Sequence, residues 1–302
     1  MSLIRQLQKD NTIILGVTPL TSLVFDEEFP DLKKVTIEPY HIKYSNRLPL
    51  SLKLLLDAPR IFSVIRKERE QLKKIIKDYH INVVISDNRF GLYNSRVKSI
   101  YLTHQLQIQA GLFSGMANRI HCRYIKEFHE IWVPDFEKEE ACLAGKLSRN
   151  LYFENVYYLG PLSRLSVPVN KTDEYDYLCI LSGPEPLRTE LETLLMQRAV
   201  LFDKKICLVR GTHLPLEDVP PLNVHIVDLP NSKQLSRLIA SSKKIICRSG
   251  YSTLMDLYTL GNTNCILIPT PGQSEQVYLA DYWKEKFGVK VIRQTDLKTF
   301  EF

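Results

Sequence analysis

The sequence predicts an α/β protein made of two doubly wound parallel sheets. Three observations carry that expectation. Short apolar runs alternate with helical stretches along the chain, the pattern of parallel strands joined by crossover helices. At 302 residues the chain is longer than one ordinary core accommodates and suits two domains. Polar turns recur directly after the apolar runs, where open parallel sheets hold their ligands.

Taken in order, apolar runs at 12–17, 35–37, 82–85, 99–102 and 130–133 read as strands of a first domain spanning 1–162. A helical stretch at 50–79 lies among them, with a break expected at Pro59. The run at 156–159 leads into Gly160-Pro161, and 163–176 reads as an interdomain linker. The second domain, 177–302, has strands expected at 177–181, 205–209, 224–227, 244–247, 265–268 and 289–292. The chain shows no internal repeat and no low-complexity tract.

Composition narrows the classes. Hydrophobic residues make up 44% of the chain and mean hydropathy is -0.14, as expected of a water-soluble globular protein. No apolar run is long enough to span a bilayer, and residues 1–9 hold no apolar signal core, so a cytoplasmic protein is expected. The six cysteines are widely spaced and lie mostly in strand-like runs, which points to reduced core thiols. Net charge is +6, with the excess in the N-terminal half. Much of it sits on the stretch 60–77, where Ile61, Ile65, Leu72 and Ile76 share one helical face. The basic face is either simply solvated or drawn peripherally to an anionic membrane surface. No nucleic-acid motif is present, and no nucleic-acid partner is expected. The histidines show no ligand spacing, so no metal site is expected.

The chemistry concentrates in the block 245–283. An apolar run ends in Arg248-Ser249-Gly250, and a helix follows with Thr253 and Asp256 on it. A helix opening at Ser249-Gly250 aims free N–H groups and the positive end of its dipole beyond the strand, which suits a diphosphate. Asp256 has the chemistry to accept hydrogen bonds from a ribose diol. Gln273, Glu275 and Gln276, after the next strand, have the chemistry to read sugar hydroxyls. Ser182-Gly183-Pro184 is a second strand-to-helix turn. Arg248 either offsets phosphate charge or pairs a carboxylate and braces its turn, and Arg210 is a second candidate to face the diphosphate. In the first domain Asp87, Asn88 and Arg89 follow one strand and Thr103, His104 and Gln105 another. His104 and Asp87 are rival candidates for a general base.

The block 245–283 resembles the nucleotide-sugar half of the GT-B glycosyltransferases. It is most similar to glycosyltransferase family 28, which includes the transferase that adds N-acetylglucosamine to lipid I in peptidoglycan synthesis. The segment Ile85-Ser86-Asp87-Asn88-Arg89-Phe90-Gly91-Leu92-Tyr93 carries the resemblance further, as do Thr103-His104-Gln105, Trp132-Val133-Pro134-Asp135, Leu159-Gly160-Pro161-Leu162-Ser163-Arg164 and Leu181-Ser182-Gly183-Pro184-Glu185-Pro186. These are similar to bacterial proteins of the same superfamily. The resemblance implies a GT-B fold, two Rossmann-like domains facing across a cleft. It also implies a UDP-sugar donor and an inverting, metal-independent transfer, without a cofactor, to a hydroxyl acceptor that is lipid-linked in some relatives. Ser182-Gly183 would be the second phosphate cradle, Asn231-Ser232 would adjoin the uracil, and the polar residues around Asp87 and His104 would face the acceptor. The alternatives are a sugar-nucleotide 2-epimerase and a non-catalytic nucleotide-sugar-binding partner. Family members open with a strand and a glycine-rich loop that supplies acceptor-side chemistry. Here residues 1–9 read as the tail of the first helix, and the second strand follows directly. The chain is therefore expected to bind donor better than it turns it over.

Overall fold

The computed structural model describes residues 1–39, 58–108, 114–167, 172–216 and 219–302. They form two compact units, Met1–Leu162 and Ser163–Phe302.

The N-terminal unit opens with α1 (Ser2–Leu7), β1 (Ile14–Val17), α2 (Pro19–Glu28) and β2 (Lys33–Thr36). Thr18 and Thr21 cap the start of α2 reciprocally, and Pro19 fits the first turn, where its missing N–H is not needed. Strands β1 and β2 pair in parallel, and Leu15, Val17 and Phe29 form a small core beside them. The long helix α3 (Ala58–Tyr79) follows. The break expected at Pro59 falls at the edge of the described residues, since 50–57 lie outside them. The helix is described from Ala58 onward. Val64, Ile65 and Leu72 of α3 are buried while Arg66, Lys67, Lys73 and Lys74 are exposed, as its apolar spacing demands.

Then come β3 (Val83–Asp87), β4 (Lys98–Leu102), α4 (Ser114–Ile125), β5 (Glu130–Val133) and β6 (Val156–Tyr158). These four strands make a second parallel sheet in sequence order. Its core is Tyr101, Leu106, Ile125, Phe128, Ile131 and Val133. Among the described residues, β1 pairs only with β2 and β3 only with β4, so the strands of this unit lie in two separate sheets.

The C-terminal unit comprises β7 (Tyr175–Ile180), α5 (Leu187–Ala199), β8 (Ile206–Val209), β9 (Val224–Val227), α6 (Ser232–Ala240), β10 (Ser242–Cys247), α7 (Tyr251–Thr259), β11 (Cys265–Leu267), α8 (Ser274–Phe287) and β12 (Lys290–Val291). Ser163 belongs to this unit and Tyr175 opens its first strand. One parallel sheet joins all six strands in the order β12-β11-β10-β7-β8-β9. The central strands are apolar along their length, as burial on both faces requires: β8 is Ile-Cys-Leu-Val and wholly buried. All six cysteines are free thiols. Cys122 is half-buried and the others are buried. Burial pushes the thiols of Cys207 and Cys265 up to about 12.

Candidate functional site

In the C-terminal unit the strand order reverses between β7 and β10, the switch point at which open parallel sheets bind ligands. Ile180 and Cys247 are register partners at the ends of these strands, so the turns Ser182-Gly183 and Ser249-Gly250 leave the sheet side by side. Gly183 has φ +106°, which side chains rarely adopt. Gly250 is the N-cap of α7, and no side chain caps that helix. The contrast with α6 is direct. There Asn231 accepts from the Gln234 N–H, and the Gln234 side chain accepts from the Asn231 N–H, both at 3.0 Å. The side chain of Asn231 is thus committed to its cap, and Ser232 beside it is buried. An uncapped helix start beside a glycine turn is suited to an anion.

Several candidates from the sequence face inward rather than toward a ligand. Arg248 is fully buried. It donates to the carbonyls of Leu187 (2.9 Å), Ile268 (3.2 Å) and Pro269 (3.3 Å) and to Gln294 Oε1 (2.7 Å). It therefore braces the turn through carbonyl groups, not by pairing a carboxylate. Burial lowers its pKa to about 10, with nearby Glu190 acting in the opposite direction. Arg210 is buried and donates to Glu192, to Asp228 Oδ1 (3.0 Å) and to the Leu214 carbonyl (2.7 Å). Its charge is neutralised inside the unit, which corrects the expectation that it faces a diphosphate. Arg188 joins the same network through Glu192 at 2.7 Å, a residue the sequence reading missed.

Gln276 is likewise internal. Its Oε1 accepts the Thr270 N–H (2.9 Å), its Nε2 donates to Gln273 Oε1 (2.7 Å), and its carbonyl accepts the Ser249 hydroxyl (2.7 Å). Gln276 holds the 269–276 loop against the Ser249-Gly250 turn, and its side chain is not presented to a sugar. Gln273 and Glu275 are half-exposed at the start of α8. Thr253 and Asp256 are half-buried on α7. The Asp256 carboxylate accepts the Ser163 hydroxyl at 2.5 Å and the Arg164 N–H. Burial raises its pKa against these hydrogen bonds.

In the N-terminal unit Asp87 ends β3 opposite Leu102, so His104 emerges two residues beyond its register partner. The environment of the Asp87 carboxyl raises its pKa by desolvation, and His104 acts in the opposite direction. Asn88 adopts φ 54°, a conformation asparagine tolerates. Arg89 is drawn inward, donating to Glu68 Oε1 at 2.5 Å and to the Glu38 carbonyl, so it locks the loop to α3 rather than facing an acceptor. Gly91 makes that lock possible, since a Cβ there would lie 2.3 Å from Glu68 Oε2. Thr103 is buried and accepts the Gln105 N–H (3.0 Å), and the Gln105 carbonyl meets His121 Nε2 at 2.7 Å. These contacts shape the loop that carries His104. Among the described residues no cluster of histidine, cysteine or carboxylate side chains could hold a metal ion.

Comparison with known proteins gives this geometry its class. Residues 196–301 match the glycosyltransferase family 28 C-terminal domain. A spinosyn rhamnosyltransferase, SpnG, complexed with thymidine diphosphate superposes with a TM-score of 0.63 at 13% identity, covering 98% of this chain and 85% of that one. The kitacinnamycin glycotransferase gives 0.63 at 12%, covering 97% and 82%. MurG of Acinetobacter baumannii gives 0.55 at 12%, covering 99% and 83%. No curated protein sequence matches the chain. The fold is the two-domain Rossmann-like GT-B fold. The family 28 match falls within the C-terminal unit.

Proposed function

We propose that the protein transfers a sugar from a UDP-sugar to a hydroxyl acceptor with inversion, without a bound metal. The observation that carries this reading is the pair of glycine turns at the ends of adjacent strands β7 and β10, one opening directly into the uncapped start of α7. Helix N–H groups placed there would take up the charge of the departing diphosphate. A carboxylate offers about four lone-pair positions, so Asp256 retains room for a ribose diol beside Ser163 and Arg164. The thymidine diphosphate bound by SpnG favours a pyrimidine nucleotide. Asp87 and His104 are the groups proposed to take the acceptor proton.

A lipid-linked acceptor is supported by α3 and α4. Phe62, Met116 and Ile120 are exposed at 45%, 46% and 40%, and Arg66, Lys67, Arg119 and Arg123 are exposed on the same two helices. Apolar side chains among cations suit the surface of an anionic bilayer, from the cytoplasmic side. No helix among the described residues is long and apolar enough to cross a membrane.

Calorimetric titration with UDP tests the donor reading. Asp256→Ala is expected to weaken binding by about 1.5–3 kcal/mol, as when a charged hydrogen bond is lost. Equal affinities would remove Asp256 from the site. Turnover is expected to survive excess EDTA, and a loss restored by magnesium or manganese would overturn the metal-free mechanism.

A further inference from the structure

We propose that Thr270 is a phosphate-contacting residue of this site, its hydroxyl donating to an oxygen of the donor diphosphate. The proposal rests on the nucleotide-sugar reading above and adds to it a residue that the sequence did not single out. Thr270 is fully buried, three residues past the end of β11. Its backbone N–H is satisfied by Gln276 Oε1, but its Oγ1 is buried without a hydrogen-bond partner. A buried hydroxyl left unpaired costs free energy, so an unpaired one at a switch point is informative.

The hydroxyl is also aimed at the site. A Cβ built on Gly183 would lie 3.8 Å from Thr270 Oγ1, so the hydroxyl adjoins an exposed glycine turn. Arg248 holds the residue before Thr270 in place by donating to the Pro269 carbonyl. A buried hydroxyl lacking an acceptor, beside a glycine turn at the switch point, is the complement of an oxyanion. Gly183, with φ +106° and no side chain, leaves the approach of a phosphate oxygen to the hydroxyl free of a Cβ.

The test uses the whole chain as wild type, Thr270→Val and Thr270→Ser. UDP affinity is measured by calorimetry, uridine binding by ligand-observed NMR, and unliganded stability by thermal melting. Thr270→Val is expected to weaken UDP on the order of 10- to 100-fold while leaving uridine unchanged. Thr270→Ser is expected to stay within a few-fold of wild type. Unliganded Thr270→Val is expected to melt no lower than wild type, because it removes an unpaired buried hydroxyl and keeps the shape. Undiminished UDP affinity in Thr270→Val would overturn the proposal and leave the donor reading standing. An equal loss for uridine and UDP would also overturn it, since that marks general distortion. Failure of the wild type to bind UDP or thymidine diphosphate would sink the donor reading, and this proposal with it.

Discussion

The two units solve one architectural problem differently. The C-terminal unit joins six parallel strands into a single sheet, and its switch point brings two glycine turns together. The N-terminal unit distributes its described strands over two sheets, one of them only two strands wide. A continuous sheet fixes the strand ends, and therefore the turns after them, through a shared hydrogen-bond register. Where sheets are separate, loops must be tied by side chains instead. Arg89 does this by reaching both Glu68 on α3 and the carbonyl of Glu38. The lesson is that the C-terminal turns are placed by strand register and then braced by Arg248 and Gln276, whereas the loop after β3 relies on the Arg89–Glu68 ion pair.

The largest effect expected from breaking this contrast is at Arg248. Arg248→Ala leaves three main-chain carbonyls and Gln294 without their donor and opens a cavity. A loss of about 2–5 kcal/mol is expected from the cavity and the unpaired carbonyls together. Denaturant melts followed by amide NMR should place the loss in residues 163–302. A loss confined to the N-terminal unit would contradict the division of labour.

A smaller effect is expected at Gly91. Gly91→Ala drives a methyl into Glu68 and the Ile65 carbonyl, at 2.3 and 2.8 Å. Overpacking of this kind costs about 1–3 kcal/mol and should loosen the Arg89 loop while UDP binding stays unchanged. Weaker UDP binding in this variant would show that the two units are energetically coupled.

The smallest effect is expected at Asp87 and is read in its pH dependence. The fold raises the Asp87 pKa, so ionising this group opposes folding. That penalty is absent below the unfolded-state pKa, sets in as pH rises, and is complete above the folded-state pKa. Asp87→Asn should therefore melt higher than wild type at pH 8, with the gap closing toward pH 4. A pH-independent difference would mean that the carboxyl is not desolvated.

Much of the fold was legible because the strands of a doubly buried sheet are short apolar runs bounded by turns. Runs such as 206–209 and 245–247 admit no other reading beside glycine and proline. The position of the two glycine turns was legible for the same reason, since it follows from strand ends alone. The direction of side chains was not. Arg210, Arg248 and Gln276 stand next to the site in sequence, yet each turns into the protein to satisfy buried carboxylates or carbonyls. No local pattern announces that, because Glu192 and Asp228 lie 18 residues from Arg210 on either side. Thr270 escaped notice for the opposite reason: its hydroxyl matters through a partner it lacks, and nothing in a sequence marks a missing partner.

The arrangement of the thiols has a practical consequence. Five are sealed in strands or loops, and Cys122 on α4 alone is half-buried, two residues from exposed Ile120. Its thiol is raised in pKa by burial, with Lys126 opposing, so it reacts slowly but without competition from better-placed sulfur. The native chain thus carries one selective attachment point for an environment-sensitive dye. It lies on the helix proposed to meet the lipid, where the arrival of a bilayer would register as a change in fluorescence with no residue substituted.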